Sequence, residues 1–383
     1  MPRKLSPPYR ADHVGSLLRP ERLKEAREAA GFAMGATPDE RGPHTMSLED
    51  LHAIEDACIR ESVSMLQEAG IKTITDGEFR RGSWAYDLLG AIDGIELRRA
   101  QANKDATFTS GVQPPVAHAV GRVKRPDGGL VLNDYLYLDS LGAEGTIKVT
   151  MPSPTMMYVR GGRESVDATV YPDIEEYFED VTGVYRDEIA ALAAAGCKYV
   201  QIDNTDAAYI CDPKFQAKAR EQGMEPEEQI ALQGRLISMA TRGRPDDVAV
   251  SMHICRGNSA GAWIASGGYD FIAETLFTQF DVDAFFLEFD SERAGDFSPL
   301  RYASGDQLLV LGLVTTKTPE NYSKDELLSR IEEASKYVSL DALALSPQCG
   351  FASVARGNPI SFDDQRRKFD LILEVADEVW GTA

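Results

Sequence analysis

Short apolar runs recur along the chain, and most of them end in polar or glycine-containing residues. Few of the runs alternate strictly between apolar and polar positions, which is typical of strands that are buried on both faces of a sheet. The seven clearest runs lie at residues 71–76, 146–151, 198–203, 248–253, 284–288, 308–313 and 341–346. We predict a buried strand at each of these places.

Helical patterns separate the predicted strands. Three of them have recognisable start signals, at Ser47, near Pro172 and at Ser323. In the first, Asp50 completes a capping signal, a stripe of apolar residues follows, and Gly70 is placed to end the helix. Strand followed by helix followed by strand is the order of a parallel α/β fold.

The number of such units indicates the architecture. About eight or nine strands over the whole length favour a single (β/α)8 TIM barrel over two doubly wound sheets. We therefore predict one catalytic TIM-barrel domain over residues 1–383, with an insertion after the second strand. The insertion is the polar stretch at about residues 98–133, which contains Pro114 and Pro115. We interpret it as a hairpin over the barrel mouth.

Composition excludes several classes of protein. The chain of 383 residues is 43% hydrophobic and 26% charged, and no apolar stretch is long enough for a membrane span. The N-terminus lacks a secretory signal, so a cytoplasmic location and no membrane partner are expected. A net charge of −21 disfavours nucleic acid as a partner. The 5 cysteines are an odd number, which argues against a disulfide framework and leaves core packing or metal ligation.

The chemistry is expected where strands finish, because barrel active sites lie at the carboxyl ends of the strands. His253 and Cys255 are two residues apart at a strand end, so both side chains point to the same face. Imidazole and thiolate are good ligands for zinc. Cys349 and Glu288 follow two other strands and supply two more candidate ligands. Taken singly, Cys349 could instead be an inert buried thiol and Glu288 an ion-pair partner.

These motifs resemble those of the cobalamin-independent methionine synthases, and most closely the short relatives that correspond to the C-terminal catalytic barrel. The resemblance extends from His13 to Asn358 and is carried by residues 253–258, 286–288 and 347–350. It implies one Zn²⁺ ion held by His253, Cys255, Glu288 and Cys349.

The resemblance also implies a site for a small thiol, homocysteine in that family. Gly15 and Ser16 match the short segment that holds the substrate, and Glu78 and Asp203 match its two acids. The chemistry is consistent, because an α-ammonium group needs anionic partners and an α-carboxylate can be met by N–H groups and a hydroxyl. The structural alternatives are an arginine partner for Glu78, a helix cap for Asp203 and a turn hydroxyl for Ser16.

The implied activity is that of an S-methyltransferase similar to 5-methyltetrahydropteroyltriglutamate–homocysteine methyltransferase, converting homocysteine to methionine. The methyl donor is a reduced-folate-type compound or another methyl donor. Residues 311–317 contain no histidine that could protonate an amine leaving group. His13 is therefore the predicted catalytic proton donor, with His118 as an alternative, and Trp84 or Tyr158 could stack on a pterin.

Two other functions remain open at this stage. A zinc-dependent alkyl transferase could act on another thiol such as coenzyme M, although that thiol has no ammonium group for Glu78 and Asp203. A non-catalytic zinc-binding protein would instead have a closed site with four ligands. The sequence does not determine whether copies of the chain form a homo-oligomer.

Overall fold

The computed structural model describes residues 7–32, 41–98, 114–221, 223–320 and 322–382. Strands account for nine segments of these residues. They are β1 (Thr73–Ile74), β2 (Asp93–Arg98), β3 (Val116–Lys124), β4 (Thr146–Pro152), β5 (Tyr199–Asn204), β6 (Ala249–Ile254), β7 (Ala284–Glu288), β8 (Leu308–Val314) and β9 (Leu343–Pro347).

Seven of the strands form one parallel sheet in the order β1-β4-β5-β6-β7-β8-β9. Each coincides, within a few residues, with one of the seven apolar runs, so the predicted strands are confirmed. Every residue of β5, β6, β7 and β9 is buried, because the sheet is covered on both faces.

The N-terminal segment takes the remaining place in the barrel. Ala11 forms a parallel bridge with Leu345 of β9, and Asp12 N donates to the Leu345 carbonyl at 3.1 Å. On the other side, toward β1, the His13 ring nitrogen Nε2 lies 3.0 Å from the Thr73 carbonyl oxygen. The predicted (β/α)8 barrel is confirmed, with a first strand that is only a short bridged segment.

Helices surround the sheet. They are α1 (Glu21–Ala29), α2 (Leu48–Ala69), α3 (Tyr86–Gly90), α4 (Leu132–Ser140), α5 (Ile174–Ala194), α6 (Asp206–Tyr209), α7 (Pro213–Glu221), α8 (Pro226–Thr241), α9 (Ala273–Gln279), α10 (Lys324–Ala334) and α11 (Phe362–Trp380). No helix in the described parts of the chain is both long and apolar enough to cross a membrane.

The three predicted helix starts are confirmed. The Ser47 side chain accepts a hydrogen bond from Asp50 N ahead of α2, and Gly70 ends that helix in the left-handed conformation with φ 85°. Asp173, next to Pro172, caps α5. Ser323 forms a capping box at the start of α10.

The predicted insertion contains an antiparallel hairpin of β2 and β3. It begins earlier than predicted, at Asp93, and its central residues 99–113 lie outside the described residues. Asp167 N donates to the Ala119 carbonyl of β3 at 3.0 Å, which ties the hairpin to the segment after β4. The end of the predicted stretch joins α4, so the polar excursion is partly regular structure.

Apolar side chains from the helices and the outer face of the sheet form one large buried cluster that extends from Ala11 to Ala376. A second, small cluster of Val14, Phe286, Val310 and Ala344 lies inside the barrel. Phe286 pairs in register with His253, which in turn pairs with Asp203. Because register partners in a parallel sheet face the same side, His253 and Asp203 also point into the barrel. That residues 1–383 form one domain stays a prediction.

Candidate functional site

The carboxyl end of β6 carries the first two candidate ligands. His253 is the second-last residue of β6, and Cys255 follows the strand directly. Cys255 N donates to the Asn204 carbonyl of β5 at 3.3 Å, so the pairing with the neighbouring strand continues past the end of β6. Both side chains are buried, at 3% and 4% exposure.

Cys349 reaches the same point from the loop after β9. Its Sγ lies 3.5 Å from Cys255 Sγ, and both thiols are free. The ligand atoms of His253, Cys255 and Cys349 all lie within 4.8 Å of one another. Across the described ranges, no other set of three histidine, cysteine or acidic side chains has this arrangement. The structure therefore brings together three of the four predicted metal ligands.

The surroundings of these three side chains fit a bound cation. Neither ring nitrogen of His253 has a hydrogen-bond partner among the described residues, although both are buried. The contact with Cys255 holds the pKa of Cys349 well below its usual range against the opposing effect of burial, and the same contact and burial raise the pKa of Cys255. Gly257 N donates to Cys255 Sγ at 3.3 Å. A buried imidazole beside two buried thiols is a suitable donor set for zinc.

Glu288, the predicted fourth ligand, is not one of the three side chains that meet here. It is fully buried at the end of β7, and its Oε2 accepts a hydrogen bond from Arg256 N at 2.9 Å. Its Oε1 forms an ion pair with Arg293 and lies 3.6 Å from Lys317 Nζ. Burial raises the pKa of Glu288, but Lys317, Arg293 and Arg256 outweigh it and lower the pKa to about 2. Its carboxylate is thus neutralised by cations, and its role as a ligand stays a prediction.

An open pocket of about 500 Å³ borders the three ligands. Ser16, Glu78 and Asp203 line this pocket. Three of the four predicted thiol-site residues therefore surround the same space as the three candidate metal ligands. Trp84, Tyr86 and Arg160 are partly exposed and line the outer part of the pocket, and the buried Tyr209 lines it as well.

The two acids are buried and act on each other. Glu78 Oε1 accepts a hydrogen bond from Thr150 Oγ1 at 3.1 Å, while its Oε2 has no partner among the described residues. Burial raises the pKa of Glu78 to about 7, opposed by Arg81 and reinforced by Asp203. Burial likewise raises the pKa of Asp203 to about 6. A cation entering the pocket would stabilise both carboxylates.

Strained backbone places the acid and the serine. Glu78 has φ 61°, a left-handed conformation that is unusual for a residue with a side chain. Gly15 has φ 143°, and a Cβ there would lie 2.7 Å from Thr150 Cγ2. Ser16 Oγ accepts a hydrogen bond from Ala352 N at 3.3 Å. Gly15 therefore turns the chain so that Ser16, rather than Gly15 itself, lines the pocket.

His13, the predicted proton donor, is not among the residues that line the pocket. Its Nε2 lies against the Thr73 carbonyl, and its ring packs edge-on against Phe369 at 5.7 Å. Burial and the charge of Lys148 lower the pKa of His13 to about 4, so the ring is neutral at pH 7. The catalytic role of His13 gains no support from this position. His118 lies in β3 and pairs with Glu96 in the hairpin.

Part of the pocket lies outside the predicted site residues. Trp84 lines it, but Tyr158 instead packs edge-on against Phe178 at 4.9 Å. Arg160 was not considered, although it follows β4 and the strand-end rule points to it. Its guanidinium donates to Asp206, Thr205 and Tyr86, with distances of 2.9, 2.7 and 3.1 Å. Lys317 was noted only as a position without a histidine.

Comparisons with known proteins give relatives that cover most of the chain. The family model described as "Cobalamin-independent synthase, Catalytic domain" matches residues 34–361. The Bacillus subtilis (strain 168) protein YxjG is 40% identical over 98% of this chain and 95% of its own length. A methionine synthase of Pyrococcus abyssi is 25% identical over 79% of this chain and 78% of its own length. A crystal structure from Listeria monocytogenes, described as a candidate vitamin-B12-independent methionine synthase, has a TM-score of 0.75 and 34% identity, and covers 98% of each chain.

Proposed function

The chain belongs to the family of cobalamin-independent methionine synthases, and on this premise we propose that it transfers a methyl group to the sulfur of homocysteine at a zinc site. Membership of the family makes it an S-methyltransferase. The observation that carries the finer proposal is that His253, Cys255 and Cys349 converge on the pocket that Glu78 and Asp203 also line.

The proposed zinc ligands are His253, Cys255 and Cys349, with Glu288 as the predicted fourth. A bound zinc ion would supply the positive charge that keeps an incoming thiol deprotonated at neutral pH. Three ligands leave a position for a substrate sulfur, as in catalytic zinc sites. Glu288 would have to give up its contacts with Arg293 and Lys317 to become a ligand.

The proposed role of Glu78 and Asp203 is to bind the α-ammonium group of the thiol substrate. Both carboxylates are buried at a cost, and an ammonium group would offset that cost by forming charge-assisted hydrogen bonds. Ser16 can donate a hydrogen bond to the α-carboxylate. Coenzyme M has no ammonium group to offer to either acid, so the pocket favours an amino-acid thiol.

The methyl donor is proposed to enter from the outer part of the pocket, past Trp84 and Tyr86. A reduced folate is the donor that family membership suggests, and the aromatic faces offer a stacking surface for it. Within the described pocket lining, His253 is the only histidine. A proton for an amine leaving group would therefore have to come from solvent or from a residue of another type.

The proposal is tested with purified, zinc-loaded protein, L-homocysteine and a panel of methyl donors that includes 5-methyltetrahydropteroyltriglutamate. Methionine is measured by mass spectrometry, and zinc by elemental analysis. We expect stoichiometric zinc and methionine formation with at least one donor. Full activity of metal-free protein would rule out the zinc site. Methylation of coenzyme M in preference to homocysteine would rule out the amino-acid thiol, and a metal that no thiol can reach would indicate a non-catalytic zinc protein.

A further inference from the structure

The segment that carries Ser16 is held in the barrel by side-chain hydrogen bonds as well as by backbone ones. Its three preceding carbonyls each accept a hydrogen bond from an inward-facing residue on a different part of the sheet. Lys148 Nζ donates to the His13 carbonyl, Gln201 Nε2 to the Val14 carbonyl at 2.5 Å, and Thr75 Oγ1 to the Gly15 carbonyl at 2.7 Å. These bonds take the place of the regular ladder that the short first strand lacks.

Gln201 differs from the other two donors because its second partner lines the pocket, whereas the second partners of Lys148 and Thr75 do not. Its Nε2 also donates to Asp203 Oδ1 at 2.8 Å. Gln201 and Asp203 are two residues apart on β5, so both side chains point into the barrel. One amide group therefore joins the segment that carries Ser16 to the acid on the opposite side of the thiol pocket.

The orientation of the Gln201 amide is fixed by its partners. The Val14 carbonyl and the Asp203 carboxylate are both acceptors, and only the NH₂ end of the amide can donate to both. Gln201 is fully buried, and its Oε1 has no hydrogen-bond partner among the described residues. An unpaired buried carbonyl is costly, and the two hydrogen bonds donated by Nε2 offset that cost.

We propose that Gln201 is a positioning residue that sets the preference of the pocket for an amino-acid thiol. It holds Asp203 where the α-ammonium group arrives and holds the chain two residues before Ser16, where the α-carboxylate arrives. This inference rests on the proposed function, because it assumes that the thiol substrate carries both groups. Gln201 itself does not line the pocket and acts through its two partners.

The test compares L-homocysteine with 4-mercaptobutyrate, which lacks the amino group, by titration calorimetry on zinc-loaded protein. In Gln201→Leu and in Gln201→Met, we expect the preference for homocysteine to fall about 10- to 100-fold, the range for a lost hydrogen bond to a charged group. Affinity for 4-mercaptobutyrate should change much less. Equal losses for both thiols, or failure of both variants to fold with zinc, would show that Gln201 is only structural and would overturn the inference.

Gln365→Leu is the matched control. Gln365 is also buried, and its Oε1 accepts a hydrogen bond from Leu18 N at 2.9 Å, two residues after Ser16, without a recorded contact to Asp203. The loss of Gln365 should weaken the affinity for both thiols equally and leave the ratio of the two affinities unchanged. A wild-type protein that does not prefer homocysteine would refute the proposed substrate itself, which is a different result from a preference that survives the loss of Gln201.

Discussion

The two walls of the pocket are built in different ways. The metal wall, formed by His253, Cys255 and Cys349, stands on β6 and β9, which belong to a continuous parallel ladder. The N-terminal wall, formed by Val14, Ser16 and Glu78, stands on segments that have only a bridge at Ala11 and a strand of 2 residues. On this second wall, side-chain hydrogen bonds and residues with positive φ hold the chain in place where the strand ladder is short.

The difference matches what each wall would hold under the proposed function. Metal ligands must meet within a few tenths of an ångström, and a rigid ladder provides that accuracy. A substrate wall must place charge and a hydroxyl against a ligand that enters and leaves. Asp203 lies between the two, because it is in register with His253 and is tied by Gln201 to the Val14 carbonyl.

The metal wall should fail completely when one ligand is lost. In Cys349→Ser we expect zinc to dissociate during purification and methyl transfer to fall below detection, because a hydroxyl is a much poorer zinc ligand than a thiolate. Zinc content and methionine formation are measured together. Cys197→Ser is the control, since Cys197 is also a buried free thiol but bonds the Tyr199 carbonyl instead. Retention of zinc by Cys349→Ser would contradict the proposed site.

The N-terminal wall should lose substrate and keep the metal. In Glu78→Gln we expect affinity for homocysteine to fall about 10- to 100-fold, because a charge-assisted hydrogen bond to the ammonium group is lost. Zinc content should stay unchanged. Glu55→Gln is the control, since Glu55 is a buried carboxylate paired with Arg27 at 2.8 Å and is not among the pocket-lining residues. An equal loss in both variants would remove the assignment of Glu78 to the pocket.

The two walls touch at Gly350, where a Cβ would overlap Ser16 Oγ. In Gly350→Ala we expect the serine to be displaced, with a loss of stability of about 1–3 kcal/mol from overpacking and a weaker affinity for homocysteine. Denaturant unfolding and titration calorimetry measure the two effects. Gly183→Ala in α5 is the control, because its Cβ would meet only the Arg186 side chain at 3.5 Å. If Gly350→Ala lost zinc and kept its affinity for homocysteine, the distinction between the two walls would be wrong.

The smallest expected effect is on pH dependence. Burial raises the pKa of Glu78 to about 7, so between its unfolded pKa of about 4.3 and about 7 the folded protein binds more protons than the unfolded chain. Its contribution to stability therefore falls as pH rises through that window. Homocysteine affinity should change in the opposite direction, because the ammonium group binds the ionised carboxylate.

Unfolding curves and thiol titrations between pH 5 and 8, compared with Glu78→Gln, isolate this group from the others that titrate. The neighbouring charges are those of Arg81, Asp203, Asp76 and Arg19. The substitution should flatten both pH profiles by a modest amount. Profiles that coincide with those of the wild-type protein would mean that Glu78 is already ionised in the empty pocket.

The order of the elements and the candidate metal ligands followed from the pattern of residue types alone. Buried parallel strands are continuous apolar runs, helix caps are local signals, and His253 and Cys255 share a face because of their spacing, so each could be read without knowing the fold. The family resemblance then supplied Ser16, Glu78 and Asp203, and the structure places all three at one pocket.

Which of the remaining polar residues line the pocket depended on how distant segments pack together. His13 precedes Gly15 in sequence but turns toward Thr73, and Glu288 ends a strand as a ligand would but is neutralised by Arg293 and Lys317. Gln201 gave no signal in the sequence. One of its two acceptors, Asp203, is on the same strand, but the other, the Val14 carbonyl, is 187 residues away along the chain. Hydrogen bonds and ion pairs between distant segments depend on distances that no local pattern encodes.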